Sequence, residues 1–206
     1  MDFPPEAFNQ WASGYDQETA QENGFPFAGY QNLLNAIIAQ ANAKPGEKVL
    51  DLGCGTGNLG ALFLPYDCRV WGSDFAAEML VIARNKYPNI IFAEHDLRQP
   101  LPQGFPQQYD VIVSAYVFHH FPIHEKINII SGLLDRHLKP NGRLLIGDLV
   151  FVDPAAREQT ASRYVDQWDE EEYWTLSEDL PLLAEAGIVV RVEPVSFCAS
   201  LLHFSR

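Results

Sequence analysis

VLDLGCGTGNLGAL, residues 49–62, is the stretch on which the reading of this chain turns. Two glycine patterns overlap in it. Gly53, Gly55 and Gly57 spell G-x-G-x-G, and Gly55, Gly57 and Gly60 spell G-x-G-x-x-G, the fingerprint of a dinucleotide site. In both, a glycine-rich turn after a strand lets a ligand approach the backbone and aims the next helix N-terminus at it. The surrounding sequence has to separate them.

Outward from this turn the chain alternates. Apolar runs at Lys48–Leu52, Arg69–Ser73, Ile90–Glu94, Tyr109–Ala115 and Arg143–Phe151 read as strands. Helical stretches are expected at Gly57–Leu64, Phe75–Lys86 and Ile123–Leu138, the last closed by the turn signal Lys139-Pro140-Asn141-Gly142. Such alternation predicts right-handed βαβ units on a doubly wound, mostly parallel, Rossmann-like α/β sheet. Ahead of it, Tyr30, Leu33, Leu34, Ile37, Ile38 and Ala41 form one apolar helical face, stopped by Lys44-Pro45-Gly46. Residues 154–187 read as helical with an acidic centre. Ile188–Ser196 and Phe197–Phe204 then read as two strands too tightly connected for a parallel crossover, so they must form an antiparallel hairpin. About seven strands are expected in one domain spanning 1–206: a helical N-terminal lid (1–45), a ligand-binding core (46–151), and substrate-side helices with the closing hairpin (152–206).

Three carboxylates separate the glycine readings. Asp51, two residues before Gly53, would repel a pyrophosphate and attract a ligand carrying an ammonium and a sulfonium. Asp74, in WGSDF at the end of the second strand, can accept both ribose hydroxyls and suits either reading. Asp96, in AEHDL after the third strand, suits an adenine amino group, with Leu97 beside it; a dinucleotide site has no need of it.

With those residues in place, the chain resembles a class I S-adenosylmethionine-dependent methyltransferase of the small stand-alone bacterial type. VLDLGCGTG is similar to the family's first motif, SDF to its acidic second and HDL to its third; YDVIVSAYVFHHF resembles the fourth-strand motif and LKPNGRLLI the approach to the fifth. The resemblance implies S-adenosylmethionine as cofactor and S-adenosylhomocysteine as product. It assigns the methionine moiety to Asp51 and the loop of Gly53, Cys54, Gly55 and Gly57, with Ser114 offering backbone to the amino-acid end. It assigns the ribose to Asp74, a flank of the adenine to Phe75, and the adenine edge to Asp96 and Leu97. FNQWASGYD, residues 8–16, is like a segment ahead of the first strand in many small bacterial methyltransferases, whose tyrosine folds over the cofactor; that role falls on Tyr15, and a lesser one on Trp11.

The acceptor is expected past the fourth strand, near Tyr116, His119 and His120. A histidine there could deprotonate an acceptor hydroxyl or thiol; the plainer reading is a satisfied histidine where a helix begins, with Pro122 pre-set to start it. Asp166, Asp169, Glu170, Glu171 and Glu172 read as a solvated face, while Trp168, Tyr173 and Trp174 pack in the core or roof an acceptor pocket. His120 and His124 stand at i, i+4, but Pro122 lies between them, so no metal site is expected.

A net charge of −13 argues against nucleic acid as partner, because phosphate backbones are bound by clustered Lys and Arg. The three scattered cysteines predict no disulfide framework. Early acids and no long apolar run predict neither a signal peptide nor a membrane span, hence a cytoplasmic protein acting on a small-molecule acceptor, with monomer or homodimer left open. Two rival functions stand beside this one: an NAD-dependent oxidoreductase using Gly55, Gly57 and Gly60, and a non-catalytic S-adenosylmethionine-binding module.

Overall fold

The computed structural model describes residues 9, 12, 14–21 and 24–206; Trp11 lies outside the described residues. The central sheet contains β1 (Lys48–Leu52), β2 (Arg69–Asp74), β3 (Ile91–Glu94), β4 (Tyr109–Ala115), β5 (Leu138–Phe151), β7 (Val189–Pro194) and β8 (Ala199–Ser205), in the order β3-β2-β1-β4-β5-β8-β7. Strands β1 to β5 are parallel, and β8 runs antiparallel between β5 and β7. The expected closing hairpin is therefore present, with its second strand inserted beside β5. A two-residue strand, β6 (Trp174–Thr175), pairs with the end of β5.

The sheet is buried on both faces, and alternation in the strands assigns the side chains to them. Val49, Val111, Val113 and Leu145 join one apolar layer, Leu50, Leu52, Ile112, Leu144 and Ile146 the other. Helix α1 (Tyr15–Thr19) precedes α2 (Tyr30–Ala41), whose Tyr30, Leu33, Leu34, Ile37 and Ala41 close the first layer. The approach of α2 needs Gly147: a Cβ there would lie 2.8 Å from Leu33 and 2.9 Å from Ile37. Helix α2 ends at Ala41 because Asn42 turns left-handed, just before the expected Lys-Pro-Gly stop. The other layer is closed by α5 (Ile123–Gly132), through Ile130, and α7 (Leu176–Glu185), through Leu183. Helices α3 (Asn58–Ala61) and α4 (Ala77–Lys86) follow β1 and β2.

Three local expectations are corrected. The helix after the glycine turn is only α3, four residues long, followed by a 3-10 turn at Leu64–Tyr66. The turn signal 139–142 lies within β5 rather than before it: Leu138 pairs with Tyr109 and Arg143 with Val111, so four residues loop out opposite Asp110. That bulge is held by Lys139 Nζ, which donates to both Asp110 oxygens at 2.8–2.9 Å. Residues 154–187 are not one helix. Helix α6 (Pro154–Arg163), capped by the Asp153 carboxylate on the Ala156 N–H, ends before the acidic run, and residues 165–173 cross the top of the sheet without helix before β6. Like charges three and four apart disfavour a helix there, and the interleaved aromatics gain more by turning inward.

Candidate functional site

The strand order reverses at β1, flanked by β2 on one side and β4 on the other. A crevice opens at such a switch point, beyond the carboxyl ends of the strands. Here it is a cleft of about 1060 Å³, at the top of the range for ligand pockets.

The floor is the glycine turn. Gly53, Gly55 and Gly57 all have positive φ, and Gly53 and Gly55 line the cleft. At Gly53 a Cβ would sit 2.4 Å from Val117 Cγ2, so only glycine lets the turn lie against the loop after β4. Asp51 is placed differently from its expectation. It is buried beneath the turn, does not line the cleft, and accepts the Gly60 N–H at 2.9 Å. A Cβ on Gly60 would lie 3.0 Å from that carboxylate, so Gly60 is glycine for Asp51 and not for a pyrophosphate. Burial raises the Asp51 pKa to about 8. Cys54, Gly57 and Ser114 also lie behind the cleft wall: Gly57 packs against Tyr87 and Phe92, and Ser114 Oγ donates to the Leu52 carbonyl at 2.7 Å.

Asp74 lines the cleft, and its two oxygens accept the N–H groups of Gly55 and Ala76, both at 2.8 Å. Burial raises its pKa against the backbone N–H donors of Ala76, Gly55 and Phe75. Each oxygen retains a further lone pair for a ligand. Beyond it, Phe75, Met79, Asp96, Leu97 and Arg98 line one end. The Asp96 carboxylate is already engaged there: Arg98 Nε and Nη2 bind it bidentately at 2.8–3.1 Å. Sequence reading missed Arg98 as its partner.

Tyr15, Phe25, Pro26 and Phe27 roof the cleft. Tyr15 is held edge-on to Phe27 at 6.2 Å. The next residue, Asp16, ties this segment to the floor by accepting from Thr56 Oγ1 at 2.6 Å, Asn58 Nδ2 at 2.9 Å and Lys86 Nζ at 2.5 Å. Burial of Asp16 is outweighed by these donors, which lower its pKa.

The far end contains Tyr116, His119 and His120 together with Glu125, Asp169, Glu171, Glu172 and Tyr173. Tyr116 has φ +57 and its ring packs on Phe27 and Tyr30 at 5.4 and 5.6 Å. The two histidines sit in a 3-10 turn, Phe118–His120. His119 Nδ1 lies 2.5 Å from Asp148 Oδ1, and the other Asp148 oxygen accepts the His119 N–H at 2.9 Å and Trp174 Nε1 at 3.1 Å. Burial lowers the His119 pKa, but the Asp148 charge outweighs it and holds the pKa above the ordinary value. Glu171 bridges the pair, 3.4 Å from His119 Nε2 and 3.2 Å from His120 Nδ1. The solvated-face reading of the acidic run is corrected at this residue, whose side chain is 11% exposed, and holds at Asp169 and Glu172, which border the cleft but stay exposed. Trp174 belongs to the core and Trp168 stacks on Phe25 at 5.1 Å; only Tyr173 of the three aromatics lines the cleft. Asp148 and Glu171 were missed because Asp148 reads as part of an apolar strand, and no spacing joins Glu171 to His119.

Comparisons with known proteins agree with this architecture. Residues 49–142 match the family described as a methyltransferase domain. An uncharacterized methyltransferase of Geobacillus sp. (strain WCH70) is 32% identical over 196 residues, covering 89% of this chain and 88% of the relative. Another, from Bacillus velezensis, is 30% identical over 200 residues, covering 89% of each. Among solved structures, a DhpI-SAM-HEP complex has a TM-score of 0.71 at 19% identity, covering 98% of this chain and 95% of that one. Magnesium protoporphyrin IX methyltransferase from Synechocystis PCC 6803 with bound SAH has a TM-score of 0.70 at 20% identity, covering 97% and 98%. At such identities the structural likeness shows the fold.

Proposed function

This chain belongs to the class I S-adenosylmethionine-dependent methyltransferase family, and on that premise we propose that it methylates a small organic acceptor by in-line displacement. The observation that carries the reading is one cleft with two chemically different ends meeting over the glycine turn. The NAD-dependent alternative falls away with the family assignment, and the packing of Gly60 on Asp51 gives its third glycine another reason to be there.

The residues fit the cofactor. Asp74, fixed by two backbone donors, faces the cleft with lone pairs for a ribose diol. Phe75, Met79 and Leu97 offer apolar surface for a flat base, and Asp96 offers an acceptor edge shared with Arg98. Gly53 and Gly55 bring bare backbone to the floor, where the methionine moiety would lie. Asp51 supports this indirectly, by shaping the turn from below. When bound, the cofactor supplies a methyl group on a positively charged sulfur. The protein's part is to hold the acceptor in line behind that methyl and to exclude water. Tyr15, Phe25 and Phe27 act as the lid, latched by Asp16. Tyr116, His119 and His120 face the acceptor, with Asp148 fixing the His119 ring.

An acidic, aromatic-walled far end supports a small neutral or cationic acceptor over a nucleic acid, in keeping with the net charge of −13. The test is a screen of small hydroxyl, amine and thiol compounds, following S-adenosylhomocysteine release. Turnover on at least one, lost in Tyr116→Ala with cofactor affinity retained, supports the reading. Turnover only on protein or nucleic acid overturns it.

A further inference from the structure

At the far end of the cleft, two imidazoles and one carboxylate converge: His119 Nε2 and His120 Nδ1 stand 3.4 and 3.2 Å from the two Glu171 oxygens, and their donor atoms lie within 4.8 Å of one another. We propose that His119, His120 and Glu171 form a binding site for a divalent first-row transition metal ion, of which Zn²⁺ is the type. No motif spacing announces it, since the histidines are adjacent on one turn and Glu171 arrives from the segment between α6 and β6.

Three observations carry the proposal. The first is distance. Nitrogen and oxygen ligands about 2.0–2.2 Å from a tetrahedral zinc stand roughly 3.3 Å from each other. Each histidine stands at that edge from one Glu171 oxygen, His119 from Oε2 and His120 from Oε1, and one ligand atom from each of the three residues lies within 4.8 Å of the others, so a small turn of the Glu171 carboxylate brings a single oxygen to both. The second is support. A histidine that ligates a metal through one ring nitrogen characteristically has the other held by a carboxylate or carbonyl. His119 has this partner in Asp148, at 2.5 Å, and Asp148 is itself fixed by the N–H groups of His119 and Leu149 and by Trp174 Nε1. The Nδ1 contact leaves Nε2 facing Glu171. The third is exposure. The three side chains are 7, 19 and 11% exposed and all line the cleft, so the site is enclosed yet has an open side toward the ligands. Three protein ligands with one position open is the arrangement of a catalytic and not a structural zinc. The mixture of two imidazoles and one carboxylate favours a transition metal over Mg²⁺ or Ca²⁺, which prefer all-oxygen shells.

The open position faces the acceptor end. A hydroxyl or thiol ligated there would release its proton to solvent more readily and turn its lone pair toward the methyl donor. That second role rests on the acceptor assignment made above; the metal site itself does not.

The experiment is calorimetric titration of Zn²⁺ into chelator-stripped protein with neither cofactor nor acceptor, paired with the visible spectrum of the Co²⁺-loaded protein. One equivalent should bind in the micromolar range or tighter, with the intense visible bands of tetrahedral Co²⁺. His120→Ala and Glu171→Gln should abolish both signals while binding S-adenosylhomocysteine normally, which certifies their fold. Asp148→Asn should weaken zinc binding by about 10–100-fold without removing a ligand. Absence of uptake, or uptake unchanged in His120→Ala and Glu171→Gln, overturns the site and leaves the methyltransferase reading untouched.

Discussion

Single carboxylates divide the labour in this cleft. Asp74 is the one best placed to touch the cofactor, because its oxygens stand on the cleft wall and are pre-oriented by two N–H groups. Asp74→Ala should cost about 1.5–3 kcal/mol of S-adenosylhomocysteine binding, roughly 10–100-fold in Kd by calorimetry. An unchanged Kd would remove the ribose assignment. Asp51 has the opposite environment. Its folded pKa of about 8 lies far above the ordinary carboxylate value, so the folded state binds a proton that the unfolded chain releases. The stability it contributes is therefore present at low pH and declines as pH rises from about 4 toward 8. Asp51→Asn mimics the protonated form and can still accept from Gly60. Its melting temperature relative to the parent should climb between pH 5 and pH 8; a difference flat with pH would show that Asp51 is ionised in the fold. Both aspartates were legible from sequence as strand-end carboxylates beside glycines. What the sequence could not say is that one points up into the cleft and the other down beneath the turn, since that depends on which neighbours donate to each.

At the scale of elements, the glycine turn and the lid are coupled through contacts far apart in the chain. The turn is pressed against the loop after β4, so Gly53→Ala must meet both a left-handed φ and Val117. A loss of roughly 2–4 kcal/mol in chemical denaturation is expected. Adding Val117→Ala should return the steric share and leave the φ share; no recovery at all would mean that the clash is not the cause. The lid segment is fastened by Asp16 to Thr56, Asn58 and Lys86. This cluster is partly solvent-exposed, so Asp16→Ala should scarcely move the ligand-free melting temperature while weakening S-adenosylhomocysteine binding several-fold. Equal affinities would mean that α1 does not close over the cofactor. Helix α2 was readable because its apolar face repeats every three to four residues. The interruption at 165–173 was not, because a charge run flanked by aromatics looks the same on a solvated helix and on a cleft wall.

For the molecule as a whole, cofactor binding should be visible as global stabilisation. S-adenosylhomocysteine at 100 times its Kd adds about 2.7 kcal/mol to stability. In a chain of this length that corresponds to a rise in melting temperature of roughly 5–11 °C. NAD at the same concentration should give none; a shift with NAD alone would contradict the architecture described here. The sheet explains how one cleft can offer two ends. Reversal of strand order at β1 opens the crevice, residues after β1 to β3 line the end proposed for the cofactor, and residues after β4 and β5 line the other.

The order of elements, the parallel core and its reversed closing strand, and the glycine turn were determined by sequence, because each is a local pattern: alternation, periodicity, or a turn that only glycine tolerates. So was the set Asp51, Gly53, Gly55, Gly57, Asp74, Asp96, whose members sit at strand ends one after another. The tertiary structure decided which of these line the cleft. It also decided the insertion of β8 beside β5, the latch of Asp16 on the glycine turn, and the meeting of His119, His120, Asp148 and Glu171. Those four come from a turn, a strand and an irregular segment that approach only when β5 is seated against β4 and the chain doubles back over it. Their chemistry depends on separations of a few ångströms between residues distant in the chain, and sequence periodicity records local geometry alone.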